Sequence, residues 1–438
     1  MENISMSTGN TRESNTPIPY RSLPLYAAEG VNSFATTLLT AALPFFTSHR
    51  FGWGARENFA VAALQGMFYM FGALLAKRIS QRWGRERSLI ALYAGMTTFA
   101  VAVGIVASMT WAIITVLLIA MESSLMAASW PMIESLISGV GKPSQLSRRL
   151  GWYNIVWAII GALAVAVSGA IIQHTPAWAF FAIIAAGHFL AGVLIFYRTR
   201  SAAASFEDEG ITGSTADSDS DRANADRERF DESVVRRHHL ALWLSRIALP
   251  STYVIIFSLS PAMPSLHAIK QLSPTIATLV ASIWLIARAM AFIITGHTTF
   301  WHKRPSLMFF ASVTMLLAFI GIIIPGTLAG IDLSPALAAM AIAQIVFGFS
   351  IGTIYSASLY FGMAVSEGST EHGGYHEALI GLGQILGPLV GAVMQWIRPN
   401  ELWPAVIGIS GIVSITVMVE AIVGIRITKG SALSERKS

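Results

Sequence analysis

Hydrophobic residues along this chain come in runs of about 20, the length that crosses a bilayer core as a helix. Six such runs precede a long polar stretch, near 24–46, 57–76, 88–108, 111–138, 149–172 and 177–197. Six more follow it, near 240–260, 274–296, 306–325, 335–365, 377–397 and 402–425. The stretch between them, 198–239, has few large apolar residues and many Asp, Ser, Ala and Arg. It cannot bury enough surface to fold alone, and it reads as a disordered linker, basic at both ends and acidic inside. The pattern predicts an all-α integral membrane protein with twelve transmembrane helices in two pseudo-symmetric six-helix bundles. The expected parts are an N-terminal segment 1–23, a bundle 24–197, the linker 198–239, a bundle 240–427 and a tail 428–438.

Composition agrees with this pattern. Only 12% of the residues are charged, against about 25% in soluble domains, so most of the surface faces something other than water. The absence of cysteine excludes disulfides, thiolate chemistry and Cys-based metal sites. His238-His239 and the pair at 372 and 376 lie in loops without a carboxylate framework, so no metal is expected. There is no Gly-rich phosphate loop, no nucleophile–base pair and no cofactor motif, and neither ATP-driven transport nor an enzyme is expected. The net charge of +5 lies in short loops and does not point to nucleic acid. Residues 1–20 lack a basic region followed by a cleavage site, so the first span is expected to serve as its own insertion signal.

Loop charges give an orientation. Lys77, Arg78, Arg82, Arg85 and Arg87 follow span two, Lys142, Arg148 and Arg149 follow span four, and Lys303 and Arg304 follow span eight. Arginines flank the linker, and the tail is basic. The opposite loops hold Arg50, Arg56, Lys270 and Arg398. The positive-inside bias therefore predicts cytoplasmic termini and linker, in the cell (plasma or inner) membrane. The loop between spans ten and eleven, with Glu367, Glu371 and His372, departs from the bias.

The halves look duplicated. Trp83-Gly84-Arg85-Glu86-Arg87-Ser88-Leu89 matches Trp301-His302-Lys303-Arg304-Pro305-Ser306-Leu307. Span five carries Asn154, Trp157 and Gly161 at helical spacing, and span eleven carries Glu377, Ile380, Gly381 and Gln384 at matching spacing. Parallel six-helix repeats bind their ligand between the halves, near the bilayer midplane.

The loop Ser80-Gln81-Arg82-Trp83-Gly84-Arg85-Glu86-Arg87 is similar to the Asp-Arg-x-Gly-Arg-Arg loop of major facilitator superfamily permeases. Arg82, Gly84 and Arg85 match, Gln81 stands at the family's Asp, and Lys77 stands at its Gly. Gly383-Gln384-Ile385-Leu386-Gly387-Pro388 resembles the Gly-Pro motif of the family's antiporters, but lies in span eleven rather than span five. The stretch 375–381 resembles an uncharacterised prokaryotic subset. The resemblance covers nearly the whole chain. It implies a permease whose span one lines the cavity and whose loop, through Arg82, Gly84 and Arg85, latches the cytoplasmic ends of the halves.

Several in-span residues are candidates for function. Glu29, Asn32, Ser33, Thr36 and Thr40 form one polar stripe on span one, which must face protein or water. It reads as cavity lining, or as helix packing through small residues. Glu122 lies in the middle of span four. An ionised side chain there costs about 2.5–3.5 kcal/mol, so it is paired or protonated. It is the proposed proton-coupling residue, or else a hydrogen-bond donor in a helix contact. Arg246 and Arg288 offer forks for a carboxylate or phosphate, or else pair with Glu29, Glu377 or Glu420. Tyr253, Tyr355 and Gln384 complete the substrate candidates, and in-span aromatics favour an organic solute. Glu377 at the start of span eleven reads as a cap and latch. Glu134 with Arg148, Arg149, Arg82 and Arg85 reads as a cytoplasmic salt-bridge cluster, structural or gating.

These features together predict a monomeric secondary transporter of a small organic solute, working by alternating access and coupled to protons. The rivals are an uncoupled facilitator or exporter of lipophilic compounds, and a non-transporting sensor or scaffold that signals through its linker.

Overall fold

The computed structural model describes residues 22–139, 146–208, 232–298, 300–304, 306–328, 330–366, 370–399 and 401–435. Among these residues every regular element is helical. Among the described residues eleven helices are long and apolar enough to cross a membrane. They are α2 (Ala55–Trp83), α3 (Arg85–Ser108), α4 (Ala112–Ser138), α5 (Leu146–His174) and α6 (Ala177–Asp208). After the central stretch come α7 (Glu232–Ala262), α8 (Pro274–Ala281 and Ile283–His297) and α9 (Ser306–Thr327). The last three are α10 (Leu333–Ser366), α11 (Thr370–Ile397) and α12 (Leu402–Glu435). The first helical run, α1, consists of Leu23–Thr37, a π segment Leu38–Ala42 and Leu43–Phe51.

The π segment has a local cause. Pro44 has no N–H to donate, and its partner in a π register would be the carbonyl of Leu39. Gln65 Nε2 on α2 donates to that carbonyl at 3.2 Å. Thr40 Oγ1 donates to Thr36 O at 2.8 Å and tightens the turn before the break.

Several helices overrun the apolar spans. Once nucleated, a helix adds a hydrogen bond per residue and need not end where the lipid does. α6 continues to Asp208 and α7 begins at Glu232, so 198–208 and 232–239, expected as disordered linker, are helical. The rest of that linker, 209–231, lies outside the described residues, as do 1–21 of the N-terminal segment and 436–438 of the tail. α12 runs to Glu435 through most of the expected tail, and α11 starts at Thr370, so Glu371 and His372 are helical rather than in a loop.

Unlike in a soluble protein, the surface is as apolar as the interior. Exposed large side chains include Phe71, Ile113, Phe189, Ile342, Ile407 and Ile415, while Glu29, Asn32, Glu122, Glu134 and Gln384 are buried. With lipid outside there is no hydrophobic force to pair helices, so they pack through small residues that let backbones approach. A Cβ on Gly72 would meet the backbone of Ser124, joining α2 to α4. One on Gly348 would meet Trp284 and Arg288, joining α10 to α8 in the equivalent position of the second half.

The halves meet along two seams. On one, α2 crosses α11, with a Cβ on Gly66 falling 2.7 Å from the Gln384 backbone and one on Gly381 falling 2.8 Å from Met70 Cα. On the other, α5 crosses α8, where Gly151 lies against Gly296 and the N–H of Gly169 donates to Thr278 Oγ1 at 3.0 Å. Exchanging the halves maps one seam onto the other, the symmetry expected of a duplicated bundle.

The loop after α2 needs its glycine. Gly84 has φ +79°, and its N–H bonds Ser80 O at 2.9 Å to end the helix. Trp83 is 53% exposed, whereas Trp301, its match in the second half, is buried and donates to Thr295 O at 3.0 Å. The sequence likeness of the two loops does not extend to their packing.

Candidate functional site

Between the seams lies a cavity of about 120 Å³, lined from both halves. The first half contributes Ser33 and Thr36 on α1, Tyr69 on α2, Met126 on α4, and Tyr153 and Trp157 on α5. The second half contributes Tyr253 on α7, Trp284 and Arg288 on α8, Tyr355 on α10 and Glu377 on α11. The π segment of α1 forms part of the wall through Thr40 and Ala41. An aromatic cluster crosses between the halves. The Trp157 ring lies 5.3 Å from those of Tyr355 and Phe292, and Tyr355 is 6.5 Å from Tyr253.

Of the residues singled out from the sequence as substrate contacts, Thr36, Tyr253, Arg288 and Tyr355 line this cavity. Glu29, Asn32, Glu122, Arg246 and Gln384 lie outside its lining. Glu29 is buried one turn from the cavity and accepts from Ser33 Oγ at 2.8 Å. Arg246 is half-buried on α7. Gln384 is fully buried one turn beyond Ile380, and neither of its amide atoms has a partner among the described residues.

Glu122 belongs to a buried chain inside the first half. His188 Nε2 on α6 lies 3.3 Å from Glu122 Oε1, with both side chains fully buried. The distance is that of an ion pair, but the two are not aligned as a hydrogen bond. His188 Nδ1 lies 3.0 Å from Asn32 Oδ1. Asn32 is adjacent to Ser33, and Glu122 is one turn before Met126, so the chain abuts two cavity-lining residues. His188 was not singled out from the sequence. The available signal was an imidazole centred in an apolar span, where a titratable group is costly.

Glu377 is not at a helix start. α11 begins at Thr370, so Glu377 sits two turns inside it, where it lines the cavity and accepts from Tyr69 Oη across the α2–α11 seam. Replacing Tyr69 with Phe leaves that carboxyl without its donor, which costs about 1–3 kcal/mol in a buried site. The unfolding temperature in detergent should fall, while Tyr197→Phe, on an exposed ring, should leave it in place. Equal midpoints would mean that the contact contributes nothing.

The expected gating cluster is also different. Glu134 accepts from Tyr153 Oη at 3.3 Å rather than pairing with an arginine. Arg149 Nη2 donates to Ser138 O at 2.7 Å, and Arg82 and Arg85 are exposed. The loop's ion pair is Glu86 with Arg198, which ties the start of α3 to α6. Arg82 and Arg85 reach solvent, so nothing forces them toward a buried carboxyl.

Among the described residues no cluster of three or more His, Cys, Asp or Glu could hold a metal ion. Residues 25–375 match the family model described as Major Facilitator Superfamily. No curated protein matches the chain.

Proposed function

The chain belongs to the major facilitator superfamily, a family of membrane transporters, and from that premise we propose that it carries a compact organic solute by alternating access, coupled to protons through Glu122 and His188. The observation that supports this most directly is the cavity between the halves, with walls drawn from α1, α2, α4 and α5 on one side and α7, α8, α10 and α11 on the other. A site shared by two bodies changes its exposure when the bodies rock. The glycine-lined α2–α11 and α5–α8 seams are smooth enough to slide. In this reading the interrupted run α1 is the twelfth crossing, and both termini and 198–239 are cytoplasmic, as the loop charges favour.

The coupling step is a shared proton. Glu122 Oε1 and His188 Nε2 face one another, and the pair reaches the cavity wall at Ser33, next to Asn32, and at Met126, one helical turn after Glu122. A change of charge there moves α1 and α4, both of which wall the cavity.

The chain has no cysteine, so a single introduced thiol reports on access. Thr40→Cys and Ser260→Cys, both on the cavity wall, should each react with a membrane-impermeant maleimide added to either side of oriented vesicles. Labelling from one side alone, under every gradient imposed, would rule out alternating access.

A further inference from the structure

Arg288 on α8 is a buried cation, 7% exposed, on the wall of the cavity between the halves. Its guanidinium carbon lies 4.3 Å from the ring centroid of Trp157, which comes from the other half, and 5.0 Å from that of Trp284, one turn earlier on the same helix. Among the described residues no carboxylate pairs with it, and its Nε has no hydrogen-bond partner. The one carboxyl on the same wall, Glu377, is engaged by Tyr69 Oη.

A charge taken out of water is costly unless an opposite charge and hydrogen bonds replace the water. Indole faces attract a desolvated cation with about 2 kcal/mol, but they supply no acceptor for its N–H groups. A guanidinium held against aromatic rings keeps donors at its edge, in the fork that fits a carboxylate. A single unpaired cation calls for one negative charge, and it repels a cationic solute.

The remaining wall limits the rest of the molecule. Tyr153, Tyr253, Tyr355 and Phe257 present rings, and Ser33 and Thr36 present hydroxyls. The volume, about 120 Å³, is slightly less than that of an engineered cavity of about 150 Å³ that takes up benzene, which is room for about one ring.

We propose that the solute is a compact organic monocarboxylate with a planar apolar body, its carboxylate held by the edge of Arg288 and its body lying among Trp157, Tyr253 and Tyr355. The assignment rests on the reading that this cavity is the transport site.

Benzoate, benzyl alcohol and benzylamine have nearly the same shape and charges of −1, 0 and +1, so they separate charge from fit. With purified full-length protein, benzoate should quench tryptophan fluorescence saturably and raise the unfolding temperature. The other two should bind about a hundredfold more weakly, the scale for losing the partner of a buried charge. Arg288→Gln should weaken benzoate by about the same factor. Its unliganded unfolding temperature should not fall, because the variant removes an unpaired buried charge. Arg288→Lys, which keeps the charge but loses the planar fork, should fall between the two. The proposal is overturned if benzoate fails to bind, if benzyl alcohol binds as well, or if Arg288→Gln leaves benzoate binding unchanged. Arg288-dependent benzoate binding without flux of labelled benzoate into proteoliposomes would support this assignment and reject the transport reading. Flux of neutral solutes without benzoate binding would do the reverse.

Discussion

Glutamine in place of Glu122 should abolish the response of flux to an imposed pH gradient while leaving the protein folded. The substitution keeps the shape of the side chain and its place beside His188, 3.3 Å away, but it can no longer gain or lose a proton. The change in stability should be small, because the side chain keeps its volume and gives up no aligned hydrogen bond, so loss of function would not reflect loss of fold. His188→Gln should have the same consequence, because the imidazole is the other holder of the shared proton and the link to Asn32. Glu420→Gln is the control. That carboxyl is also buried in the membrane region, but it accepts from Ser312 Oγ at 3.0 Å between α12 and α9 and does not line the cavity. The measurement is solute uptake into proteoliposomes with and without a pH jump. A Glu122→Gln variant that still accelerates under the gradient would assign the protein to the uncoupled facilitators. A Glu420→Gln variant that loses the response would move the coupling site to the second half.

Gly72→Val should produce the largest loss of stability of any single change at the glycine contacts between helices. A Cβ at that position would overlap the carbonyl oxygen and Cα of Ser124, which are backbone atoms and cannot rotate away. α2 and α4 must then separate, and with them Tyr69 and Met126, which wall the cavity. Overpacking costs typically about 1–3 kcal/mol and more where the obstacle is rigid. A domain's whole stability is about 5–15 kcal/mol, so a fall in both yield and unfolding temperature is expected. Gly411→Val, at a helical position with nothing within 4 Å, should change the midpoint little. Similar midpoints for the two variants would mean that close backbone approach does not hold the first half together.

The membrane-spanning pattern was legible because its cause is local. A run of apolar residues long enough to cross a bilayer needs no partner to be recognised, and the observed helices cover nearly all of the expected spans, several with extensions at their ends. The polar stripe on α1 was legible for the same reason, since lipid excludes that face whatever lies opposite. Thr36, Tyr253, Arg288 and Tyr355 were named from the sequence and do line the cavity. Hydropathy could not distinguish the several lipid-avoiding faces of a bundle from one another. Glu29, Asn32 and Glu122 are as buried as a cavity residue would be, yet they face other helices. Glu377 looked like a cap because the apolar run begins there, while the helix begins two turns earlier in polar residues.

Composition and periodicity alone therefore determined a helical membrane protein of two repeated halves with a few buried ionisable groups, because the bilayer acts on each span separately. Only the tertiary structure decided that Glu122 meets His188, that Tyr69 reaches Glu377 across a seam, and that Arg288 lies against two indoles with no carboxylate partner among the described residues. Those partnerships depend on which glycines let which backbones touch, and residues more than 60 positions apart in the chain are brought together only when every crossing is in place.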